Sequence, residues 1–494
     1  MLTTMSRTGK HEGPGRMAAA LVVLLLCSCA VGPDFVRPAP PAVAAFAPAA
    51  SSQTASDLPA QHFAAGADLP ADWWQLFQSA QLNSMVAGAI AHNATFEAAI
   101  ATLHQSQHNL QAGYGVFFPQ VSAGLSGTRA RSAPVEQGLK IPSGIYNVVT
   151  LNGTVGYTLD LFGGERRATE ALAAQVDYQL YGSRAAYVAL TANVVNAAIA
   201  RAAYAAQIRV TAEMVALQQQ QLLATRAQIQ SGTSAYAAAL SIQALIAATQ
   251  ATLAPLKQQL SQTENTLATL LGQFPAQTSL PVLELEQLSL PREVPISVPS
   301  ELVHQRPDIL QSEAQLHVAS ANIGVATAAM YPSISLTGTV GQAGTSVGNL
   351  SGANGRFWSI GPSLTLPIFK GGTLWYEREA AIDACQAAQA NYRQVVLAGF
   401  AQVATTLAAL EHDAQSLQAQ TEAQRSARQA LQLTEASYQS GVSSYLEVMT
   451  ADLQYHQASL ALIEAQGQRY QDTVALFVAL GGGWWNASGQ ERQP

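Results

Sequence analysis

The sequence predicts a mainly α-helical chain that also carries four membrane-type β-strands and is internally duplicated. Three observations point there. Two stretches of 66 residues, Glu165 to Gln230 and Thr373 to Tyr438, lack proline and read as single rods. Apolar residues downstream of each rod recur at alternating spacings of three and four, the mark of a helix wound against a partner. Four shorter stretches instead alternate apolar with small polar residues, the period of a strand with two different faces.

The clearest 3–4 pattern is Leu446, Met449, Leu453, His456, Leu460, Ile463, Gly467, Tyr470, Val474 and Phe477. It follows Tyr438-Gln439-Ser440-Gly441-Val442, where one helix ends at a glycine and another begins. The same grammar occurs 209 residues earlier. Ser231-Gly232-Thr233 matches Ser440-Gly441-Val442, and Leu271-Gly272 matches Leu480-Gly481. A recurrence at that interval defines two copies of one unit.

The totals narrow the class. Only 11% of residues are charged and 49% are hydrophobic, which suits long, closely packed helices. A net charge of -7 lacks the basic footprint that nucleic acid requires, so no nucleic-acid partner is expected. The three cysteines are Cys27, Cys29 and Cys385, too few after removal of a leader for a disulfide framework or a cysteine zinc site.

Residues 1–28 read as a signal peptide. Arg7, Lys10 and Arg16 precede the apolar run Met17 to Leu26, too short to span a bilayer. Leu25-Leu26-Cys27-Ser28-Cys29 resembles a bacterial lipobox, which implies lipidation of Cys29 after cleavage before it. Ala30 rather than Asp follows, which by the usual sorting pattern implies the outer membrane. Residues 29–71, rich in Pro and Ala, are expected to be an extended lipid-anchored tether.

The first repeat is placed at 72–274. Leu82 to Val116 reads as two helices broken near His92-Asn93, and Phe117-Phe118-Pro119 ends the second. The first strand puts Val121, Ala123 and Leu125 on one face. The next puts Val149, Leu151, Gly153, Val155, Tyr157 and Leu159 on one face and Thr150, Asn152, Thr154, Gly156 and Thr158 on the other. Gly163-Gly164 turns the chain into the first rod, about 100 Å if wholly helical. After Gly232 a second rod carries Ile242, Ile246, Thr249, Leu253, Leu256, Leu260, Thr263, Leu267 and Leu270, with a kink or helix junction expected at Pro255.

A Pro-rich stretch, 275–300, reads as the linker between repeats. The second repeat, 301–483, starts its helix at Arg306-Pro307-Asp308 and ends it at Met330-Tyr331-Pro332. Its strands alternate Ile334, Leu336, Gly338 and Val340, then Trp358, Ile360, Leu364 and Leu366, with small polar residues. Residues 484–494 are a tail. Shifted by 209, the seam of 446–477 falls two residues from that of 242–270, about 200° around a helix. Either the repeats use different faces or each helix packs on both sides, as in a cylinder wall; the second is expected.

Four strands cannot close a membrane barrel, and lipid does not tolerate an open edge. Closure requires several chains: two would supply eight strands, whose interior side chains fill, and three would supply twelve and leave room for a pore. The expected assembly is therefore a trimer: four β-strands per protomer in a shared 12-stranded β-barrel, plus a long α-helical barrel of coiled coils that projects from the membrane, anchored in outer membrane lipid. Other polar residues yield less. His104 and His108 stand four apart but lack a third ligand, so no metal site is expected. His456 reads as a packing residue in the seam and Cys385 as a small buried residue. No catalytic constellation is present and no cofactor is expected beyond the lipid on Cys29.

The chain resembles the TolC-like outer membrane factor family, in its NodT-type lipoprotein branch. The resemblance rests on Cys29-Ala30-Val31-Gly32-Pro33-Asp34-Phe35, Trp73-Trp74 through Leu82, Arg306-Pro307-Asp308, Tyr331-Pro332 and Tyr438-Gln439-Ser440-Gly441. It implies the homotrimeric exit duct of a tripartite efflux pump, with the long α-helical barrel of coiled coils periplasmic. It implies a periplasmic adaptor (membrane fusion) protein and an inner-membrane pump of the resistance–nodulation–division class as partners. The helical tips, Ser231, Gly232, Thr233, Ser440, Gly441 and Val442, would dock the adaptor. The motif also implies an acidic pore constriction, filled here by Glu447; a second acidic position is Thr450, and the first-repeat equivalent of Glu447 is Ala238. One ring of three like charges would repel itself and attract cations. The duct of a type I protein secretion system, or a non-conducting structural lipoprotein, are the alternatives.

Overall fold

The computed structural model describes residues 30–43, 45–46, 61–133, 138 and 142–486. In chain order its elements are β1 (His62–Ala65), α1 (Ala80–His92), α2 (Ala94–Gly113), β2 (Gln120–Arg131), β3 (Ile145–Leu159), α3 (Gly164–Gln230) and α4 (Tyr236–Leu270). Then come β4 (Glu293–Ile296), α5 (Pro299–Gln305), α6 (Pro307–Ala328), β5 (Ser333–Gly344), β6 (Arg356–Thr365), α7 (Thr373–Gln439) and α8 (Tyr445–Ala479). The duplication is explicit. α3 and α7 each have 67 residues, α4 and α8 each have 35, and both pairs start 209 residues apart.

The chain divides into two compact units. One contains residues up to Arg37, His104–Asp177 and Glu313–Asn391. Its centre is an antiparallel sheet in the order β2-β3-β5-β6. The pairing aligns Val155 with Val121 and Gly338, Leu151 with Leu125, Val340 with Trp358, and Ile334 with Leu364. Directly paired residues share a face, so all four apolar sets read from the sequence lie on one side. Ser122, Thr154, Thr339 and Ser359 line up on the other, where Thr154 and Thr339 hydroxyls are 3.4 Å apart. The apolar side is uncovered: Val121, Leu125, Val155, Val340, Trp358, Ile360 and Leu364 are exposed. Strand β3 passes into α3 through Asp160, whose carboxylate accepts the Glu165 and Arg166 backbone N–H groups, satisfying helix-end donors.

The second unit comprises Pro38–Leu103, Tyr178–Ser312 and Tyr392 onward. Trp73, Phe77, Leu82, Ile199, Leu267, Leu302, Leu410 and Phe477 are fully buried in one core. The Phe477 ring lies 5.6 Å from Trp73 and 6.5 Å from Phe77. Each such burial contributes about 1.5–3 kcal/mol. Asn93 makes the predicted break between α1 and α2: its Oδ1 accepts from Phe96 N while its Nδ2 donates to the Leu270 carbonyl at the end of α4.

Several expectations are corrected. The tether does not extend to residue 71. Residues 62–65 form β1, paired in parallel with β4, and Gln61 and Leu69 are buried. Nor is 275–300 a free linker, since Leu283, Leu285, Leu288 and Val294 belong to the core. Four-residue strands paired across more than two hundred residues leave no periodicity to read. Of the two outcomes expected at Pro255, a kink or a helix junction, the junction does not occur: α4 is one helix from Tyr236 to Leu270. Ala251, whose carbonyl loses its donor there, is exposed to water. The tail begins in the fold, where Trp484 Nε1 donates to the Gln305 carbonyl; residues 487–494 lie outside those described.

The seam mismatch also resolves. In α4 the predicted seam faces inward: Ile242, Ile246, Thr249 and Leu267 are buried. In α8 the buried row near the tip is Val448, Ala451, Asp452 and His456, while Leu446 and Leu453 are exposed. Val448 and Ala451 are the 209-residue equivalents of Ala239 and Ile242. Near the tips both repeats bury these two positions, but α8 also buries Asp452 and His456, whose equivalents Gln243 and Ala247 are exposed on α4; α8 thus packs over a wider face, and Leu446 and Leu453 form an apolar stripe that stays exposed. Further along α7 and α8, Asp413 faces Asp472 and Arg469. Burial and the Asp472 carboxylate push the Asp413 carboxyl up to about 7. Its unfolded form releases the proton near ~4. The folded form therefore binds more protons between those values, and the contribution of Asp413 to stability is lost as pH rises through about 7.

Candidate functional site

The two helical tips have one construction. In each, a left-handed glycine ends the rod, Gly232 with φ 75° and Gly441 with φ 76°. Thr233 N donates to Gln228 O and Gly232 N to Ile229 O; Val442 N donates to Ser437 O and Gly441 N to Tyr438 O. This crossed pair of bonds satisfies the last carbonyls of each rod. Among the described residues nothing lies within 4 Å of where a Cβ would sit on either glycine, so backbone conformation alone demands glycine. Ser231, Gly232, Thr233, Ser440, Gly441 and Val442 are all exposed, Val442 by 82%.

Glu447 sits in the first turn of α8, exposed. Ser444 Oγ accepts from Glu447 N at 3.4 Å and donates to Glu447 Oε1 at 3.2 Å. Ser444 thus caps α8 through its hydroxyl, and the Glu447 carboxylate holds that hydroxyl in turn, a role the sequence reading missed although Ser-x-x-Glu spells it. Around this turn, polar contacts tie the second repeat to the first. Tyr445 OH donates to Gln221 Oε1 at 2.9 Å, Tyr438 OH to Gln228 Oε1 at 3.1 Å, and Gln218 Nε2 to Asp452 Oδ2 at 3.0 Å. Asp452 is 2% exposed, and burial raises its pKa. His456, one turn on, is held neutral by burial, and its Nδ1 has no hydrogen-bond partner among the described residues. It packs in the interior as the seam predicted. Asp452 was missed because the apolar spacing drew attention to Leu453 beside it.

Elsewhere the predicted signals disperse. His104 and His108 are exposed on α2, and among the described residues no group of three or more His, Cys, Asp or Glu could hold a metal ion. Cys385 is half-buried beside Leu316, Ala319 and Ala388, and burial pushes its thiol up. Cys29 lies outside the described residues.

Two features now stand together: a four-stranded sheet with one apolar and one polar face, and two matched pairs of long helices. Residues 85–273 and 298–482, one segment in each repeat, match the outer membrane efflux protein family. The chain belongs to that family. It is 29% identical over 488 residues to the probable efflux pump outer membrane protein TtgC of Pseudomonas putida, covering 97% of each chain. It is 28% identical over 476 residues to nodulation protein T of Rhizobium leguminosarum, covering 95% of this chain and 94% of that one. Among solved structures it resembles the outer-membrane channel OprN, with a TM-score of 0.83 and 26% identity over 92% of this chain and 100% of the other. This member of the outer membrane efflux protein family is an outer membrane channel for efflux from a Gram-negative cell.

Proposed function

We propose that three copies of this chain form the exit duct of a tripartite efflux pump. The observation that carries this is the β2-β3-β5-β6 sheet, apolar on one side, with β2 and β6 as edges. An edge in lipid leaves backbone groups unsatisfied, so the β6 of one copy pairs with the β2 of the next. Three copies give twelve strands with the Thr154–Thr339 side around a pore. The uncovered Leu446–Leu453 stripe supports the same assembly, because a helix in a tube wall needs a second apolar face for the neighbouring copy. Residues 72–274 and 301–483 act as the two repeats. A lipid on Cys29 adds an attachment to outer membrane lipid.

In this assembly the glycine tips meet a periplasmic adaptor, which couples the duct to an inner-membrane pump of the resistance–nodulation–division class. The channel itself does no chemistry and uses no cofactor, so substrates pass passively and the pump supplies the energy. Three copies of Glu447 ring the periplasmic mouth. Glu447→Ala should lower the cation preference of the reconstituted channel and weaken its block by divalent cations. Glu447→Gln keeps the side-chain size and an oxygen for the Ser444 hydroxyl and removes only the charge, so it should do the same. Unchanged selectivity and block in both variants would remove Glu447 from the constriction.

A further inference from the structure

The Ala30–Arg37 segment has no secondary structure of its own, yet it occupies a built seat. Val31 N donates to the Phe162 carbonyl at 3.0 Å, just past the end of β3. Arg167, with 6% of its side chain exposed, faces the segment from the first turn of α3. It donates from Nε to Val31 O at 3.3 Å and from Nη2 to Gly32 O at 3.4 Å and Asp34 Oδ1 at 2.6 Å. Its Nη1 is held by Glu170 at 2.7 Å, whose other oxygen meets His317 Nε2 at 2.9 Å. The Phe35 ring then stacks on His317, with centroids 4.2 Å apart, and Arg37 Nε donates to Glu313 at 2.6 Å.

The backbone fit is as specific as the side chains. Gly32 has φ +94°, and a Cβ there would lie 2.4 Å from Gly324 Cα on α6. A Cβ on Gly324 would in turn lie 2.6 Å from Arg167 Cγ, and one on Gly163 would lie 2.7 Å from Ala30 Cα. Three glycines thus let three backbones and one arginine meet where no side chain fits. A tether that only had to reach would need none of this, since any flexible sequence reaches.

We propose that the Gly324–Arg167–His317 seat binds residues Ala30–Arg37 and thereby fixes the lipid-bearing amino terminus beside the end of β3, at the membrane surface. This rests on the lipidation of Cys29 proposed above. Ala30 touches Gly163, so a lipid on the preceding residue enters the leaflet level with the ends of β3 and β5, where Leu159 pairs with Ile334. The acyl chains then set the height of the protomer in the membrane as well as retaining it. The partner of this surface is a segment of the chain itself, and through it a lipid leaflet.

Hydrogen exchange read by mass spectrometry, on full-length protein extracted from outer membranes, tests the seat. Peptides covering 30–37 should be protected in the wild type. Gly32→Ala and Asp34→Ala should each speed their exchange by about tenfold or more while the long helices stay unchanged. The Asp34 side chain is 91% exposed, so its removal leaves the core packing intact. An unprotected segment in the wild type, or unchanged exchange in both variants, would overturn the seat. Palmitate labelling on the same preparation separates the two claims. A protected but unlabelled segment would overturn the lipid reading, and with it the anchor placement, while the seat itself stood.

Discussion

Val155→Arg should keep this protein out of the outer membrane, whereas Thr154→Lys, one residue away, should insert and change conductance. The two residues are neighbours on β3 but face opposite sides of the sheet. Val155 pairs with Val121 and Gly338 on the uncovered apolar side; Thr154 pairs with Ser122 and Thr339 on the polar side. An arginine facing lipid near mid-membrane costs about 2–4 kcal/mol in a barrel. In a trimer the substitution occurs three times, roughly 6–12 kcal/mol, comparable with the whole stability of an ordinary domain. Thr154→Lys loses two long hydroxyl contacts, with Thr339 and Asn152, and would place a charge in the proposed pore, where it should lower cation conductance. Fractionated membranes and heat-resistant oligomer on gels provide the readout. Insertion of Val155→Arg together with failure of Thr154→Lys would mean that the sheet faces the other way.

The second large effect is expected at Arg306. Its side chain, 9% exposed, donates to Ala479 O at 2.7 Å, to both Asp308 oxygens at 3.0 and 2.7 Å, and to Gln402 Oε1 at 3.0 Å. One guanidinium therefore satisfies a carbonyl at the end of α8, orients the first turn of α6 and reaches α7. Gly399 leaves it room, since a Cβ there would lie 3.2 Å from Nε. Breaking a buried ion pair costs about 3–5 kcal/mol. The Asp308 side chain is 46% exposed and can rehydrate, which places Arg306→Ala at the lower end, about 3 kcal/mol. Arg306→Lys should recover only part of this, because an ammonium cannot reproduce the planar fork. Thermal unfolding of the purified protein should rank wild type above Arg306→Lys above Arg306→Ala. Equal midpoints for all three would show that the contacts add little.

What could be read from the sequence was whatever repeats locally. The rods α3 and α7 announced themselves by the absence of proline and the glycines that stop them, Gly232 and Gly441. The strands showed through alternation, and their pairing then placed Val121, Val155, Gly338 and Ile360 on one face, as the alternation required. What could not be read depends on distant partners. β1 is four residues long and is a strand only because β4 lies beside it. Leu283, Leu285 and Leu288 hide in a Pro-rich stretch whose composition suggests a linker. The seat of Ala30–Arg37 is assembled from Phe162, Arg167, His317 and Gly324. Only the compact run Gly32-Pro33-Asp34-Phe35 hinted that residues after the leader had a fixed place. The offset between the two apolar seams was legible, but its cause needed the burial pattern of α8, where one stripe faces this chain and Leu446 and Leu453 face outward.

The central claim is that the two-faced sheet closes only between copies, around a pore. The direct measurement is single-channel conductance of the purified wild-type protein in a planar bilayer, with its mass determined in the same detergent. Three chain masses and a small, cation-sensitive conductance are the expected result. A monomer, or a trimer that carries no current even after substitutions that open the helical tips, would contradict it and leave a structural lipoprotein in its place.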